Sequence, residues 1–167
     1  THIMKIFNRT QLEQCQNLPL YIQAIEEGFV KYSQKKASVP PVGHFSLHNP
    51  HGDVHIKSGF FPGEDYYAIK IAAHFPYNYL QGIPALDGLI LLFSQKTGTP
   101  IAALLDEGYL THLRTAIAGL ICAKYLAPKE LKAIGIVGAG TQARMQLKLL
   151  SHLFPCREVW VWAPRQE

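Results

Sequence analysis

The sequence has 167 residues, of which 48% are apolar and 17% are charged, a composition typical of folded rather than disordered chains. Lys and Arg number 16 and Asp and Glu number 12, which gives a formal net charge of +4. Because a nucleic-acid-binding surface needs basic residues clustered on one face, this mild and scattered excess argues against nucleic acid and suits small anions.

The positions of the cysteines and of the apolar residues argue against several further classes of protein. The three cysteines (Cys15, Cys122 and Cys156) form no CxxC pair, which argues against a disulfide framework or a zinc site. Cys122 lies in an apolar run and is expected to be buried. The histidines show no metal-ligand spacing, so no metal is expected. Because the chain has neither an apolar stretch of about 18 residues nor a signal peptide, we expect a cytoplasmic location and no membrane partner.

The first two thirds of the chain predict an α+β domain. A short strand over 4–7 precedes a helix over 18–35, where apolar residues recur at helical spacing until Ser38-Val39-Pro40-Pro41 ends the helix. Alternating or apolar runs then predict strands over 54–57, 66–71, 89–93 and 100–105, the last two joined by a turn at Lys96-Thr97-Gly98-Thr99. These strands are expected to form a mostly antiparallel sheet.

A helix over 113–126 follows, with Thr111 as its N-cap, and Pro128 ends it. We place a domain boundary there, between 1–127 and 128–167.

The second domain is predicted to have a strand over 133–137, a helix over 144–154 and a strand over 158–162. The fold class is therefore α/β, with an incomplete Rossmann β-α-β at the end, because a complete nucleotide domain has about four to six parallel strands. The chain is accordingly interpreted either as a fragment of a longer protein or as one that borrows its missing strands from another chain.

The turn Gly138-Ala139-Gly140-Thr141-Gln142-Ala143 follows a strand and opens a helix, the context that makes a GxGxxA pattern informative. Gly138 permits the tight turn, Gly140 lets a pyrophosphate approach the backbone N–H groups, and Ala143 allows close helix–strand packing. A dinucleotide is the expected ligand. A glycine turn without a ligand is the alternative.

The end of the second strand bears on the choice of cofactor. NAD-binding domains carry an acid about 20 residues beyond the turn, which accepts hydrogen bonds from the ribose hydroxyls. This sequence has Ala163-Pro164-Arg165 there and no acid before Glu167. Arg165 is either a contact for the 2′-phosphate of NADP or an ordinary surface charge, so NADP is slightly favoured over NAD.

Several motifs in order resemble the ornithine cyclodeaminase / μ-crystallin family over about residues 52–150. The matching stretches are Val54-His55-Ile56-Lys57-Ser58-Gly59, Tyr67-Ala68-Ile69-Lys70-Ile71-Ala72, Thr97-Gly98, 105–111, Leu113-Arg114-Thr115-Ala116 and 138–144. The resemblance implies a substrate and dimerisation domain, homodimers, and redox chemistry at the carbon that bears an amino acid's nitrogen. The implied substrate is a small amino acid or cyclic imine, as in ornithine cyclodeaminase, alanine dehydrogenase and ketimine or pyrroline-carboxylate reductases. A redox-neutral dehydratase of hydroxyproline type and a non-catalytic ligand carrier are the alternatives.

The resemblance also assigns roles to residues. Lys70 matches the family's catalytic lysine, which moves a proton and whose apolar neighbours make burial plausible. Arg114 matches a substrate-carboxylate or cofactor-phosphate contact, and Thr115 a cofactor-phosphate contact. An arginine that many members carry after the Val-Pro-Pro-like stretch is missing here, and Lys57 is a candidate substitute or else an exposed strand charge. The family's catalytic aspartate falls beyond residue 167, so this chain alone is expected to be inactive.

His55 and His74 are weaker candidates. Both could line a substrate pocket, although a packing role is the more common one for a scattered histidine.

Overall fold

The chain is described here by a computed structural model, which covers residues 3–155 and 158–164. In chain order its strands and helices are β1 (Lys5–Asn8), α1 (Arg9–Gln14), α2 (Leu18–Ser33), β2 (Gly43–His48), β3 (His51–Phe60), β4 (Tyr66–His74), β5 (Leu86–Ser94), β6 (Pro100–Leu105), α3 (Tyr109–Leu126), β7 (Ile134–Val137), α4 (Thr141–Leu153) and β8 (Val159–Trp162). A short 3-10 helix, Asn78–Gln81, lies between β4 and β5.

Packing divides the chain into two compact units. The first contains the residues up to 17 together with 28–109, and the second contains 18–27 together with the residues from 110 onward. Nearly all of α3 therefore belongs to the same compact unit as the glycine turn, although α3 precedes the domain boundary that we place at residue 127. That boundary divides the predicted substrate domain from the predicted nucleotide-binding domain, and it stays a prediction.

The first unit is built on one six-stranded sheet with the order β1-β6-β5-β4-β3-β2. Neighbouring strands are antiparallel except for β1, which runs parallel to β6. The mostly antiparallel sheet and the α/β fold class predicted from the sequence are thus confirmed. Because successive side chains of a strand point to opposite faces, the pattern of β4 places Tyr67, Ile69 and Ile71 on one side and Lys70 on the other.

The second unit has its core on α3. Five side chains of this helix are buried, together with one of α4: Leu113, Ala116, Ile117, Leu120, Ile121 and Leu149. The first turns of α2 are tied to the end of α3, because Lys124 Nζ lies 2.9 Å from Glu26 Oε2 and the Tyr125 hydroxyl donates to the same carboxylate. The Tyr125 and Lys124 hydrogen bonds lower the pKa of Glu26. The strands β7 and β8 pair in parallel, as a β-α-β unit requires.

Two sequence-based expectations fail, and two elements were missed. Thr111 is not the N-cap of α3, because the helix begins at Tyr109 and Thr111 lies inside its first turn. Cys122 is exposed rather than buried, because it faces away from the side of α3 that carries the core. The strand β2 and the helix α1 were not predicted; the capping box between Asn8 and Gln11, which begins α1, was the overlooked signal.

The close approach of β4 and β5 depends on Gly88. A Cβ atom at this position would lie 2.2 Å from the carbonyl oxygen of Ile71, which belongs to the neighbouring strand's backbone. We therefore expect Gly88→Ala to destabilise the fold by about 1–3 kcal/mol, the usual cost of overpacking. Urea unfolding measures this, with Gly43→Ala as the matched control, since a Cβ at Gly43 makes only an ordinary contact of 3.4 Å with Ile56 Cβ. Equal stability of the two variants would contradict the described packing.

Candidate functional site

The glycine turn has the backbone conformation that its sequence requires. Gly138 has φ +102°, a value that side chains disfavour, and its N–H donates to the carbonyl oxygen of Trp162 at 2.7 Å. Gly140 precedes α4 with φ −76°, and a Cβ atom built there would have no neighbour within 4 Å. The first N–H groups of a helix have no intrahelical partner, so the space beside Gly140 faces unsatisfied donors. This arrangement can accept a phosphate group.

Gln142 holds this turn against α3. Its side-chain Nε2 lies 3.0 Å from the carbonyl oxygen of His112, to which it donates, and 3.1 Å from His112 Nδ1. Further along the two helices, a Cβ at Gly119 would lie 2.8 Å from Gln146 Oε1, so α3 and α4 approach closely there. Within the second unit, the turn is therefore fixed to α3, the helix that carries the next two predicted site residues.

Arg114 and Thr115 occupy neighbouring positions on α3 with different surroundings. Arg114 is exposed, whereas the core side chains Leu113 and Ala116 on either side of it are buried. Thr115 is half-buried and its hydroxyl donates to the carbonyl oxygen of Thr111 at 2.8 Å. A charged, accessible guanidinium on a buried helix can bind an anion through two parallel hydrogen bonds.

In the first unit, the sheet register places Lys57 directly opposite Lys70. Lys57 is exposed and Lys70 is half-buried, so burial of Lys70 is only partial. On the other side of β4, Ile90 of β5 lies opposite Lys70. Two like charges directly opposite each other on one face of an antiparallel pair destabilise the pairing, which an anion between them would relieve.

Further polar residues share this side of the sheet. We call it the lysine face and define it by Lys57, Lys70 and the same-side residues His44, Ser46, His48, His51, Asp53, His55 and His74. The alternation of β3 predicts that its own four members share a face, but the contribution of β2 was missed because β2 was not predicted.

Asp53 is the centre of a hydrogen-bonded cluster on the lysine face. Ser46 Oγ donates to Asp53 Oδ1 at 2.6 Å, and His44 Nε2 lies 3.2 Å from the same oxygen. These two contacts, with the serine hydroxyl the stronger, lower the pKa of Asp53. The His44 ring stacks on the ring of His55 with centroids 4.6 Å apart.

A groove of about 450 Å³ lies on the opposite side of the same sheet, lined by residues that include Phe60, Tyr67 and Ile69. Since Tyr67 and Ile69 alternate with Lys70 along β4, this groove is separate from the lysine face. Over residues 3–155 and 158–164, no group of three His, Cys, Asp or Glu side chains is arranged to hold a metal ion. In the same part of the chain, none of the helices combines the length and apolar character needed to cross a membrane.

The predicted site residues thus fall into two sets. Lys57 and Lys70 are brought together in the first unit, and Arg114, Thr115 and the turn 138–143 belong to the second. Arg165, the predicted 2′-phosphate contact, lies outside the described residues, as does Cys156. Of the two weaker candidates, His55 and His74 both lie on the lysine face.

The sequence matches a known protein family over nearly its whole length. A sequence model of the ornithine cyclodeaminase/mu-crystallin family matches residues 2–167. The alanine dehydrogenase of Archaeoglobus fulgidus is 34% identical over 162 residues, which are 97% of this chain and 49% of that protein. The chain spans about half the length of the curated relatives that it matches.

Solved structures of related sequence have a similar fold. The Delta(1)-pyrroline-2-carboxylate reductase of Thermococcus litoralis, solved with NADH and L-proline, is 30% identical with a TM-score of 0.89, covering 97% of this chain and 50% of that one. An archaeal alanine dehydrogenase dimer with bound NAD is 33% identical with a TM-score of 0.86, covering 95% of this chain and 48% of that one.

The Asp53 cluster gives a prediction about charge. Because the Ser46 hydroxyl is the largest cause of the lowered Asp53 pKa, Ser46→Ala should raise that pKa towards its ordinary value. Carboxyl carbon chemical shifts followed against pH measure it. Asp65 provides the internal control, since its pKa is lowered by Lys96 and should not respond to the substitution. An unchanged Asp53 titration would contradict the hydrogen bond described.

Proposed function

The chain belongs to the ornithine cyclodeaminase/mu-crystallin family, and on that premise we propose that it is part of a nicotinamide-dependent enzyme acting on a small amino acid or cyclic imine. The observation that carries the proposal is the pairing of Lys57 with Lys70 on one face of the sheet. Such a pair favours an anionic ligand, and the carboxylate of an amino or imino acid is the small anion that the relatives' names have in common.

The glycine turn supports the cofactor half of the proposal. The open space at Gly140 and the left-handed backbone at Gly138 fit a pyrophosphate, held by the backbone N–H groups of 138–143. We propose that the hydroxyl of Thr115 also donates to it, once its hydrogen turns from the Thr111 carbonyl oxygen to the phosphate. The nicotinamide, when bound, supplies or accepts the hydride. The related structures named above hold NAD or NADH.

We further propose that NADP(H) binds at least as tightly as NAD(H). The support is in the sequence, where Ala163 and Pro164 stand in place of the acid that would accept the ribose hydroxyls, followed by Arg165. A guanidinium there would pair with a 2′-phosphate.

The substrate roles follow from the chemistry of the side chains. Arg114 binds the substrate carboxylate through two parallel hydrogen bonds and so orients the α-carbon. Lys57 is proposed to contribute a positive charge to the binding of the anionic substrate. Lys70 donates or accepts a proton at the substrate nitrogen or at an attacking water, which balances the charge when a hydride is exchanged with the α-carbon. Turnover is proposed for a homodimer with a complete nucleotide-binding domain.

Two other functions remain as competing hypotheses. In a redox-neutral dehydratase, Lys70 would remove an α-proton and no net hydride would move. In a ligand carrier the same residues would bind without turnover. The presence of both Lys70 and Arg114 favours an enzyme, since a carrier has no need of a proton-moving group.

The cofactor turn is tested by substitution at Gly140. Because a Cβ there meets no atom of the protein, Gly140→Ala and Gly140→Val should fold normally and yet block the pyrophosphate, the valine more severely. Titration of a protein with the complete nucleotide-binding domain against NADPH and NADH measures affinity, and thermal melting verifies the fold. Wild-type affinity in Gly140→Val would remove the proposed cofactor site. An NADH affinity well above that for NADPH would contradict the proposed preference.

The two substrate residues are tested by kinetics on the same protein. Lys70→Ala should lower kcat by roughly a hundredfold or more, the usual contribution of a general acid–base group, and leave cofactor affinity intact. Arg114→Lys keeps the charge but loses the two-pronged geometry, so KM should rise about tenfold or more. Lys96→Ala and Arg9→Lys are the matched controls, because both residues form exposed ion pairs elsewhere in the fold. Wild-type kcat in Lys70→Ala would refute its catalytic role.

A further inference from the structure

The lysine face extends beyond the two lysines to a group of imidazoles. His55 lies two residues before Lys57 on β3 and opposite Ala72, which is two residues beyond Lys70 on β4. The His44 ring stacks on His55 at 4.6 Å between centroids with an angle of 18° between ring planes. Since side chains at i and i+2 of a strand share a face, His55 stands about 7 Å along the strand from Lys57.

Asp53 fixes the far end of this group. Its carboxylate accepts the Ser46 hydroxyl at 2.6 Å and contacts His44 Nε2 at 3.2 Å, and His74 lies opposite it on β4. The Ser46 and His44 hydrogen bonds lower the pKa of Asp53, so this carboxylate stays ionised and holds the His44 ring in place. A neutral imidazole can donate one hydrogen bond from its ring N–H.

The charges of this surface point to a second acid group. Two lysines and five imidazoles lie on this face (His44, His48, His51, His55 and His74), and its carboxylate Asp53 is already engaged by Ser46 and His44. The side chains of His44 and Asp53 are 47% and 34% exposed, so a ligand in solvent can reach them. The exposed ammonium group of Lys57 on the same face attracts anions to this surface.

We propose that His55 and His44 form a distal-acid subsite that selects dicarboxylic amino or imino acids as substrates. One carboxylate of the ligand lies beside Lys57, and the other accepts hydrogen bonds from the imidazoles. The spacing of about 7 Å between Lys57 and His55 fits a diacid of about four or five carbons. This inference rests on the proposed function for the carboxylate at Lys57 and adds the chemistry of the far end of the substrate.

The subsite can be tested by binding to the purified chain, followed through the histidine ring resonances in NMR spectra. The probes are succinate and glutarate, with butyrate as the monoacid that lacks the distal charge. We expect the diacids to bind roughly tenfold more tightly than butyrate, since each charged hydrogen bond adds about that factor. His55→Gln should abolish the preference and leave butyrate binding unchanged. His152→Gln, an exposed position on α4, is the matched control and should keep the preference.

The outcomes separate this inference from the proposed function. If succinate and glutarate bind no more tightly than butyrate, or if the preference survives both His55→Gln and His44→Gln, the distal-acid subsite is refuted. Lys57→Met tests the carboxylate contact itself and should weaken all three probes. If Lys57→Met leaves butyrate binding unchanged, the proposed role of Lys57 fails regardless of the result for the histidine variants.

Discussion

The register between β3 and β4 decides which chemistry this protein presents. It sets Lys57 opposite Lys70 and aligns His55 and Asp53 on the same side, and a shift by one residue would send every one of these side chains to the other face. On the other side of β4, Gly88 permits the close approach of β5, because a Cβ atom there would lie 2.2 Å from the carbonyl oxygen of Ile71. The sheet thus sets two lysine side chains next to each other on one face.

The second unit depends on a different local feature, the conformation of its glycine turn. Its turn combines a left-handed backbone at Gly138 with open space at Gly140, and Gln142 ties the turn to α3 through His112. The paired strands β7 and β8 leave large apolar side chains in solvent, with Val137 82% and Trp160 67% exposed. Further strands and helices of a complete nucleotide-binding domain would cover such surfaces, which is consistent with a chain that spans about half the length of its relatives.

Local patterns predicted much of this structure, and long-range contacts explain the rest. The alternation in β4 and the glycine turn were sufficient to predict the sheet and the β-α-β, because both signals lie within a few neighbouring residues. The strand β2 alternates His44, Phe45, Ser46 and Leu47, but alternation within a strand does not specify which strand it pairs with. The contact of His44 with Asp53 depends on the pairing of β2 with β3, so the sequence did not predict it. Cys122 shows the same limit, since an apolar run does not tell which side of a helix faces the core.

Transfer of the hydride itself tests the central claim most directly. A protein with the complete nucleotide-binding domain would be supplied with a cyclic imino acid and with NADPH or NADH deuterated at the transferred position. The account predicts that the amino acid formed carries deuterium at its α-carbon, because the nicotinamide gives its hydride to that atom. Turnover that leaves the deuterium on the nicotinamide, or binding of the imino acid without any turnover, would contradict it.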